Sequence, residues 1–450
     1  MMKKVLSSLL VLAVAFPAIA LAADEPSGAA LNMGLDAVWV MLAFILVFLM
    51  QGGFILLETG STRMKNAGHV AGKTIFTVGL GAIVFWAVGY GLIYGPGSGL
   101  NSLIGWGDFF YSPAISSEEG LPSTINFLFQ LAFAVVSLSI AWGGFAERAK
   151  LSVYVIFSVL FVALVYPVVA HWIWGGGWLF GHKQDFAGST VVHLTGACAA
   201  LAATLLLKPR IGKFNKDGTV NEILGHNQVF TALGVLLLWV GWFGFNAGST
   251  LSVGDGFFGY VGFTTMLATG AAAVTALFAA WIFTGKGDIT TMLNGCLAGL
   301  VAITASCAFV EPWAAVVIGL IAGALVFGSM KFFEKMKIDD PIYALSVHGV
   351  VGVWGTLSNG LFAAPALVEK VGIGEAGLFY SGSLNQLWVQ FYGVAASGVY
   401  AFVVSFVLLA IIKKVTGLRV TEEQEIIGLD LSEHGAYGYP EQMSKGNISA

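Results

Sequence analysis

Two stretches decide the fold: Asp185-Phe-Ala-Gly-Ser-Thr-Val-Val-His193-Leu-Thr-Gly and Asp340-Pro-Ile-Tyr-Ala-Leu-Ser-Val-His348-Gly-Val-Val-Gly. Each opens on an aspartate, turns apolar and carries a histidine eight residues on. Each belongs to an apolar segment long enough to cross a bilayer. Ionisable side chains at that depth are costly and by default mark a pathway, a proton relay or a ligand site. Here two stand in similar Val-His contexts, one in each half of the chain.

The rest of the sequence agrees with a membrane setting. Of 450 residues, 57% are hydrophobic and 10% charged, against about 25% charged in a soluble chain. Segments of membrane length lie near 36–57, 73–94, 123–144, 151–170, 188–207, 227–246, 257–284, 289–307, 312–331, 341–363 and 386–412. About 20 apolar residues span a bilayer core, so eleven transmembrane helices are expected in one all-α membrane domain over 23–412. Residues 413–450 form a polar tail. Ahead of the domain, Lys3 and Lys4 precede an apolar run from Val5 to Phe16, and Ala20-Leu21-Ala22 gives an A-x-A site. Residues 1–22 therefore read as a secretory signal peptide cleaved before Ala23.

Basic residues set the orientation. Arg63, Lys65 and Lys73, Arg148 and Lys150, Lys208 to Lys216, Lys286, Lys331 to Lys337 and the tail all fall on one face, while Lys183 and Lys370 fall on the other. The positive-inside rule puts the N-terminus outside and the C-terminus in the cytoplasm of a bacterial cell. Helix 5 then runs inward from Asp185 and helix 10 outward from Asp340, with Pro341 suited to its first turn. At about 1.5 Å per residue, each histidine lies roughly 12 Å from its own face, so the two rings can meet near the midplane. A spacing of five helices is what an inverted repeat of helices 1–5 and 6–10 produces, with the site at the repeat interface.

Several function classes drop out. No GxxxxGK[ST] loop points to ATP-driven pumping. Cys198, Cys296 and Cys307 sit apart in apolar stretches and read as small core residues rather than metal ligands or disulfides. A net charge of -4 without a basic run gives no sign of nucleic acid. No cofactor is expected.

The residues around the two histidines carry a family resemblance. The first stretch, continued through Gly196-Ala-Cys-Ala-Ala-Leu201 to Lys208-Pro-Arg210, resembles the signature of the ammonium transporter (Amt/Mep/Rh) family, bacterial Amt type. Supporting motifs are Gln51-Gly-Gly-Phe54 with Glu58, Phe129-Gln130-Leu-Ala-Phe133, Ala146-Glu147-Arg148, His171-Trp-Ile-Trp174, Trp242-Phe-Gly-Phe245-Asn246-Ala-Gly-Ser249 and His348-Gly-Val-Val-Gly-Val-Trp-Gly. The resemblance implies a homotrimer with a narrow apolar pore in each subunit. It implies an outer ammonium site of Trp174 and Ser249 with the rings of Phe129 and Phe133, a gate of Phe133 and Phe245, and the twin histidines His193 and His348 below. Asp185, Trp242 and Thr304 are expected to support them. It also implies that the tail docks on a neighbouring subunit, where a PII-type signal protein could plug the pore. One departure is Tyr343, where some relatives carry a further acidic residue.

The chemistry is sensible in itself. Ammonium is attracted to aromatic faces, tryptophan best, and can donate a hydrogen bond to a serine hydroxyl as potassium cannot. A dry pore penalises a bare cation, so passage is easier if ammonium gives up its proton, which two imidazoles can accept and pass on. Asp185 equally suits a helix cap. Glu58 is expected to bond within the fold, and His69, His171, His182, His226 and His434 are given no role. Two other readings stand beside transport: an ammonium sensor with low conductance, and a bis-histidine haem protein, which tight glycine-rich packing disfavours.

Overall fold

The computed structural model describes residues 28–97, 99–115 and 120–442. The segment read as a signal peptide, 1–22, and its cleavage site lie outside the described residues. The principal helices are α1 (Gly28–Ser61), α2 (Met64–Tyr94), α3 (Ser123–Gly144), α4 (Leu151–Trp174), α5 (Ser189–Leu207), α6 (Gln228–Thr250), α7 (Phe257–Thr284), α8 (Ile289–Thr304), α9 (Pro312–Lys335), α10 (Leu345–Phe362) and α11 (Asn385–Val415). Among the described residues, nine of these are long and apolar enough to cross a membrane. Helix α10 makes a tenth if it is joined to the short helix Pro365–Val371, from which it is bent by 111°. At 16 residues, α8 is shorter than the rest. Isolated bridges are the extended pairing found among the described residues.

Helix ends follow local chemistry. Asn227 caps α6 by accepting from the Phe230 N–H at 3.0 Å, Asp288 caps α8 through the Thr291 N–H at 2.7 Å, and Pro312 starts α9. Two of the boundaries that differ from the hydropathy reading have a local cause. Helix α2 begins at Met64 and carries Lys73 inside it, because the ammonium group is paired with Glu58 of α1 at 2.6 Å and both are buried. Pro341 does not start α10. It lies in a turn, Tyr343 follows with φ +62°, and the helix begins at Leu345.

Packing is that of a protein dissolved in lipid. Large apolar side chains face outward, among them Val38, Ile45 and Phe48 on α1, Phe263, Phe278 and Trp281 on α7, and Val399, Val403 and Val407 on α11. Polar groups are turned inward. Helices α1 and α6 pack along much of their length. A Cβ on Gly234 would stand 2.4 Å from Leu57 N and 2.7 Å from Gly53 O, so only glycine permits this approach. Helix α7 packs on α8 and α9, and α5 on α11 and α3.

One end of the bundle is tied by a charged cluster. Arg210 forks onto Asp339 with two bonds of 2.9 Å and reaches Glu147 at 3.5 Å. Glu147 also accepts from Arg63 Nε at 2.6 Å. The Arg148 guanidinium donates to the carbonyls of Ala146, Lys208 and Asp339. Burial works against the charge on Asp339, but Arg210 and Arg148 outweigh it and hold the carboxyl well below its ordinary value. The same opposition, won by Arg210 and Arg63, holds Glu147 low.

The tail folds over this end as two short helices, α12 (Glu422–Ile427) and α13 (Leu429–His434). It rests on helix starts and a loop of its own chain. Asp430 accepts from the backbone N–H of Gly68 and His69 at 3.0 and 2.7 Å. Glu425 accepts from Ile211 N and pairs with Arg419, and Glu433 accepts from Leu151 N.

Candidate functional site

The two aspartate–histidine stretches adopt one local structure. Asp185 Oδ2 accepts from the N–H groups of Thr190 and Val191, both at 3.0 Å. Asp340 Oδ2 accepts from Leu345 at 2.9 Å and Ser346 at 3.4 Å, the same five- and six-residue offsets. Each carboxylate thus satisfies free donors at a helix start. Each helix opens with a wide π turn, Ser189–Leu194 in α5 and Leu345–Val350 in α10, and the histidine sits inside it. Ahead of α5, Gly188 takes φ +112°, and a Cβ there would lie 3.0 Å from the Trp174 ring.

The histidines meet. His193 Nδ1 and His348 Nδ1 are 3.2 Å apart, with ring centroids 5.2 Å apart and planes inclined by 14°. Both rings are buried. One Nδ1 donates and the other accepts, so in the neutral pair one Nε2 is an acceptor and the other an N–H donor. His193 Nε2 has no partner among the described residues. His193 stacks on Trp242 at 5.1 Å and 11°, and on Phe245 at 5.5 Å and 29°.

Aromatic rings continue from the pair toward the Asp185 end. Phe245 stacks on Phe133 with centroids 4.2 Å apart. Phe133 meets Phe129 at 4.7 Å and the edge of Trp174 at 5.9 Å. Trp174 Nε1 donates to Asp185 O at 2.9 Å, which fixes the indole while leaving it half-buried. Ser249, one turn past Phe245, donates to Phe245 O at 2.7 Å, so its lone pairs remain free to accept. Trp242 Nε1 donates to Thr304 Oγ1 at 2.8 Å, and that hydroxyl donates onward to Leu300 O at 2.7 Å. Thr304 therefore steadies Trp242 from behind.

Toward the tail end, a cavity of about 760 Å³ opens, lined by Asn294, Asp340, Tyr343 and Ser346 among others. Burial pushes the Asp340 carboxyl up to about 7, against the pull of the two N–H groups that it accepts from. Donor groups typical of a metal centre do not cluster among the described residues.

Every site residue singled out in the sequence lies on or directly against this column of rings. The reading missed the groups that hold its ends. Lys183 is buried and donates to Thr190 Oγ1 at 2.9 Å. Gln390 of α11 accepts from Gln184 N at 2.9 Å and donates to Gln184 O at 2.6 Å. It also missed His69 and His434, whose Nδ1 and Nε2 approach to 3.0 Å where α13 meets α2. Gln184 and Gln390, and His69 and His434, lie far apart in sequence and left no local signal, while Lys183 stands in a loop where a lysine is unremarkable.

Comparison with known proteins gives a consistent result. A profile described as Ammonium Transporter Family matches residues 38–439. The chain is 40% identical over 442 residues to ammonium transporter Amt2 of Archaeoglobus fulgidus, covering 94% of this chain and 93% of that protein. It is 37% identical over 421 residues to the ammonium transporter of Bacillus subtilis, covering 92% and 100%. Among solved structures, one named Sensor Amt Protein superposes with a TM-score of 0.83 at 38% identity, covering 90% of this chain and 99% of that one. Mep2 of Candida albicans superposes with a TM-score of 0.81 at 29% identity, covering 93% of each.

Proposed function

This chain belongs to the ammonium transporter family, a family of transporters rather than enzymes, and on that premise we propose that it carries ammonium or ammonia through a narrow pore built on the ring column. The contiguous stack of Trp174, Phe133, Phe245, His193 and His348 carries this reading. Trp174, with Phe129, Phe133 and Ser249, receives ammonium. The indole face attracts the cation and the serine oxygen accepts one of its N–H groups. Phe133 and Phe245 close the path below and must part for passage.

Beyond the gate the walls are apolar, and a bare cation there has no hydration. The twin histidines take the proton. An unpartnered Nε2 accepts it, the shared Nδ1 contact passes it to the second ring, and that ring's Nε2 releases it toward the cavity at the tail end. Ammonia crosses in parallel and regains a proton in water.

In the membrane, α1 to α11 supply eleven crossings, with α8 and α10 as the short members. The matched openings of α5 and α10 support an inverted repeat of α1–α5 and α6–α10. Basic residues at the tail end support a cytoplasmic tail with the Asp185 end outside, and the A-x-A site supports removal of residues 1–22 on the way to a bacterial plasma membrane. A homotrimer, and a PII-type partner at the tail end, follow from the family resemblance. Ammonium pulses given to proteoliposomes on a supported membrane, at several pH values, test the reading. A saturable current dependent on the protein is expected.

A second reading has one observation in its favour, the close superposition on a structure named Sensor Amt Protein. A sensor would bind ammonium yet give little flux in the same vesicles.

A further inference from the structure

We propose that Lys183 is a built-in counter-cation for Asp185, a positioning residue that keeps this carboxylate paired and committed to the start of α5, so that the pore mouth recruits ammonium through its rings and the Ser249 hydroxyl. The inference rests on the transport reading for its functional half, and on geometry alone for its electrostatic half.

The site for the lysine is constructed. Its side chain and that of Asp185 are fully buried, with Nζ 3.6 Å from Asp185 Oδ2. Nζ donates to Thr190 Oγ1 at 2.9 Å, and that hydroxyl lies 2.7 Å from Thr356 Oγ1 of α10. On α11, three residues past Gln390, Gly393 leaves room for the stem. A Cβ there would stand 2.5 Å from Lys183 Cδ and 2.8 Å from Cε. The other titratable groups that interact with Asp185 are the Tyr166 phenol of α4 and the Cys307 thiol beyond α8, residue types that ordinarily carry no charge at pH 7. Among the described residues, Lys183 is the cation paired with Asp185.

Asp340 is the internal control. It opens α10 as Asp185 opens α5, with matching backbone bonds. Among the described residues, however, the ion pairs of this region join Arg210 to Asp339 and leave Asp340 without a cation. Burial then draws its carboxyl toward the neutral form. One local fold thus occurs once with a lysine and once without.

The consequence concerns the pore mouth. Asp185 O holds the Trp174 indole, while its carboxylate is occupied by two N–H groups and Lys183. An arriving ammonium ion meets a balanced pair, not a bare anion. Replacing Lys183 with methionine leaves a buried carboxylate that takes up a proton, loosening its two N–H bonds and the indole with them.

Infrared difference spectra of the full-length protein in lipid test the electrostatic half. Lys183→Met should show the C=O stretch of a protonated carboxylic acid at pH 7, absent from the unaltered protein and abolished by adding Asp185→Asn. The functional half is read from currents. In Lys183→Met the half-saturation for ammonium should rise roughly fivefold or more between pH 8 and pH 5.5, while that of the unaltered protein stays level. Gly393→Ala, which crowds the stem, should move the same way and carries the test if Lys183→Met does not reach the membrane. Spectra without the new band, in either variant, overturn the proposal. A band without a pH-dependent half-saturation leaves the charge pairing standing and overturns its link to capture. Absence of current in the unaltered protein would instead count against the transport reading.

Discussion

His193 and His348 confront each other Nδ1 to Nδ1 at 3.2 Å, on rings only 14° from parallel. A contact between two like nitrogens holds one proton, so each ring's state is fixed by the other's. If the pair relays the proton of ammonium, His193→Ala and His348→Ala should each abolish the ammonium current. Aspartate at either position should keep part of it, since a carboxylate also takes a proton. Currents with ammonium, methylammonium and potassium check this. Unchanged ammonium current and pH dependence in both alanine variants would leave the histidines a purely structural part.

Trp174 presents a half-buried indole whose N–H is tied to Asp185 O. Trp174→Leu removes the aromatic face and leaves Ser249 in place. A cation–π contact of about 0.5–2 kcal/mol corresponds to a half-saturation for ammonium weakened roughly two- to thirty-fold. The current at saturating ammonium should change less. An unaltered half-saturation would show that the indole does not receive the ion.

Trp242 serves His193 in two ways, by stacking and through its bond to Thr304. Trp242→Phe keeps a ring and loses the bond, at a stability loss of about 1 kcal/mol. Trp242→Ala empties the space, with a loss of about 3–5 kcal/mol. Thermal unfolding in detergent should rank them in that order, and the phenylalanine variant should retain transport. Equal loss of current in both would shift the weight from the ring to the hydrogen bond.

Asp339 and Arg210 are buried partners, so Asp339→Asn should cost about 3 kcal/mol by leaving an arginine partly unmatched. The sign with pH follows from the direction of the shifts. Asp339 and Glu147 titrate lower in the folded protein than in the unfolded chain. Their contribution is therefore complete above the unfolded value of about 4 and is lost as pH falls through the folded values. Melting curves from pH 7 to pH 3 should show the gap between unaltered protein and Asp339→Asn narrowing below about pH 4. A gap that widens on acidification would contradict the assignment.

The histidine pair was legible because the signal is local and repeated: one spacing, twice, in apolar surroundings. The all-helical fold with many apolar spans was legible for a similar reason, since lipid demands long apolar runs wherever it is met, whereas the short α8 and the bent α10 were not distinguished from full-length spans. The start of α2 was not, because the cost of burying Lys73 is offset by Glu58, fifteen residues away on another helix. Neither were the π turns of α5 and α10, which Asp185 and Asp340 steady from outside the helix. Trp174, Ser249 and the phenylalanines resemble ordinary membrane residues by composition, and only the family motifs marked them. His69 and His434 looked like loop residues, although 365 positions apart they close one contact.

The charged cluster under the bundle also has a history in time. A ribosome delivers Arg63 first, then Glu147, then Arg210. Asp339 follows only 129 residues after Arg210. For that interval Arg210 has Glu147 as its partner, and the carbonyls that Arg148 will bind are only partly present. The cluster reaches its final pairing when the loop between α9 and α10 has been synthesised. That loop leads directly into the helix that brings His348 to His193. The last carboxylate to arrive thus closes the base of the bundle just before the second histidine is laid in, and a nascent chain halted short of it would hold an incompletely neutralised arginine at the membrane edge.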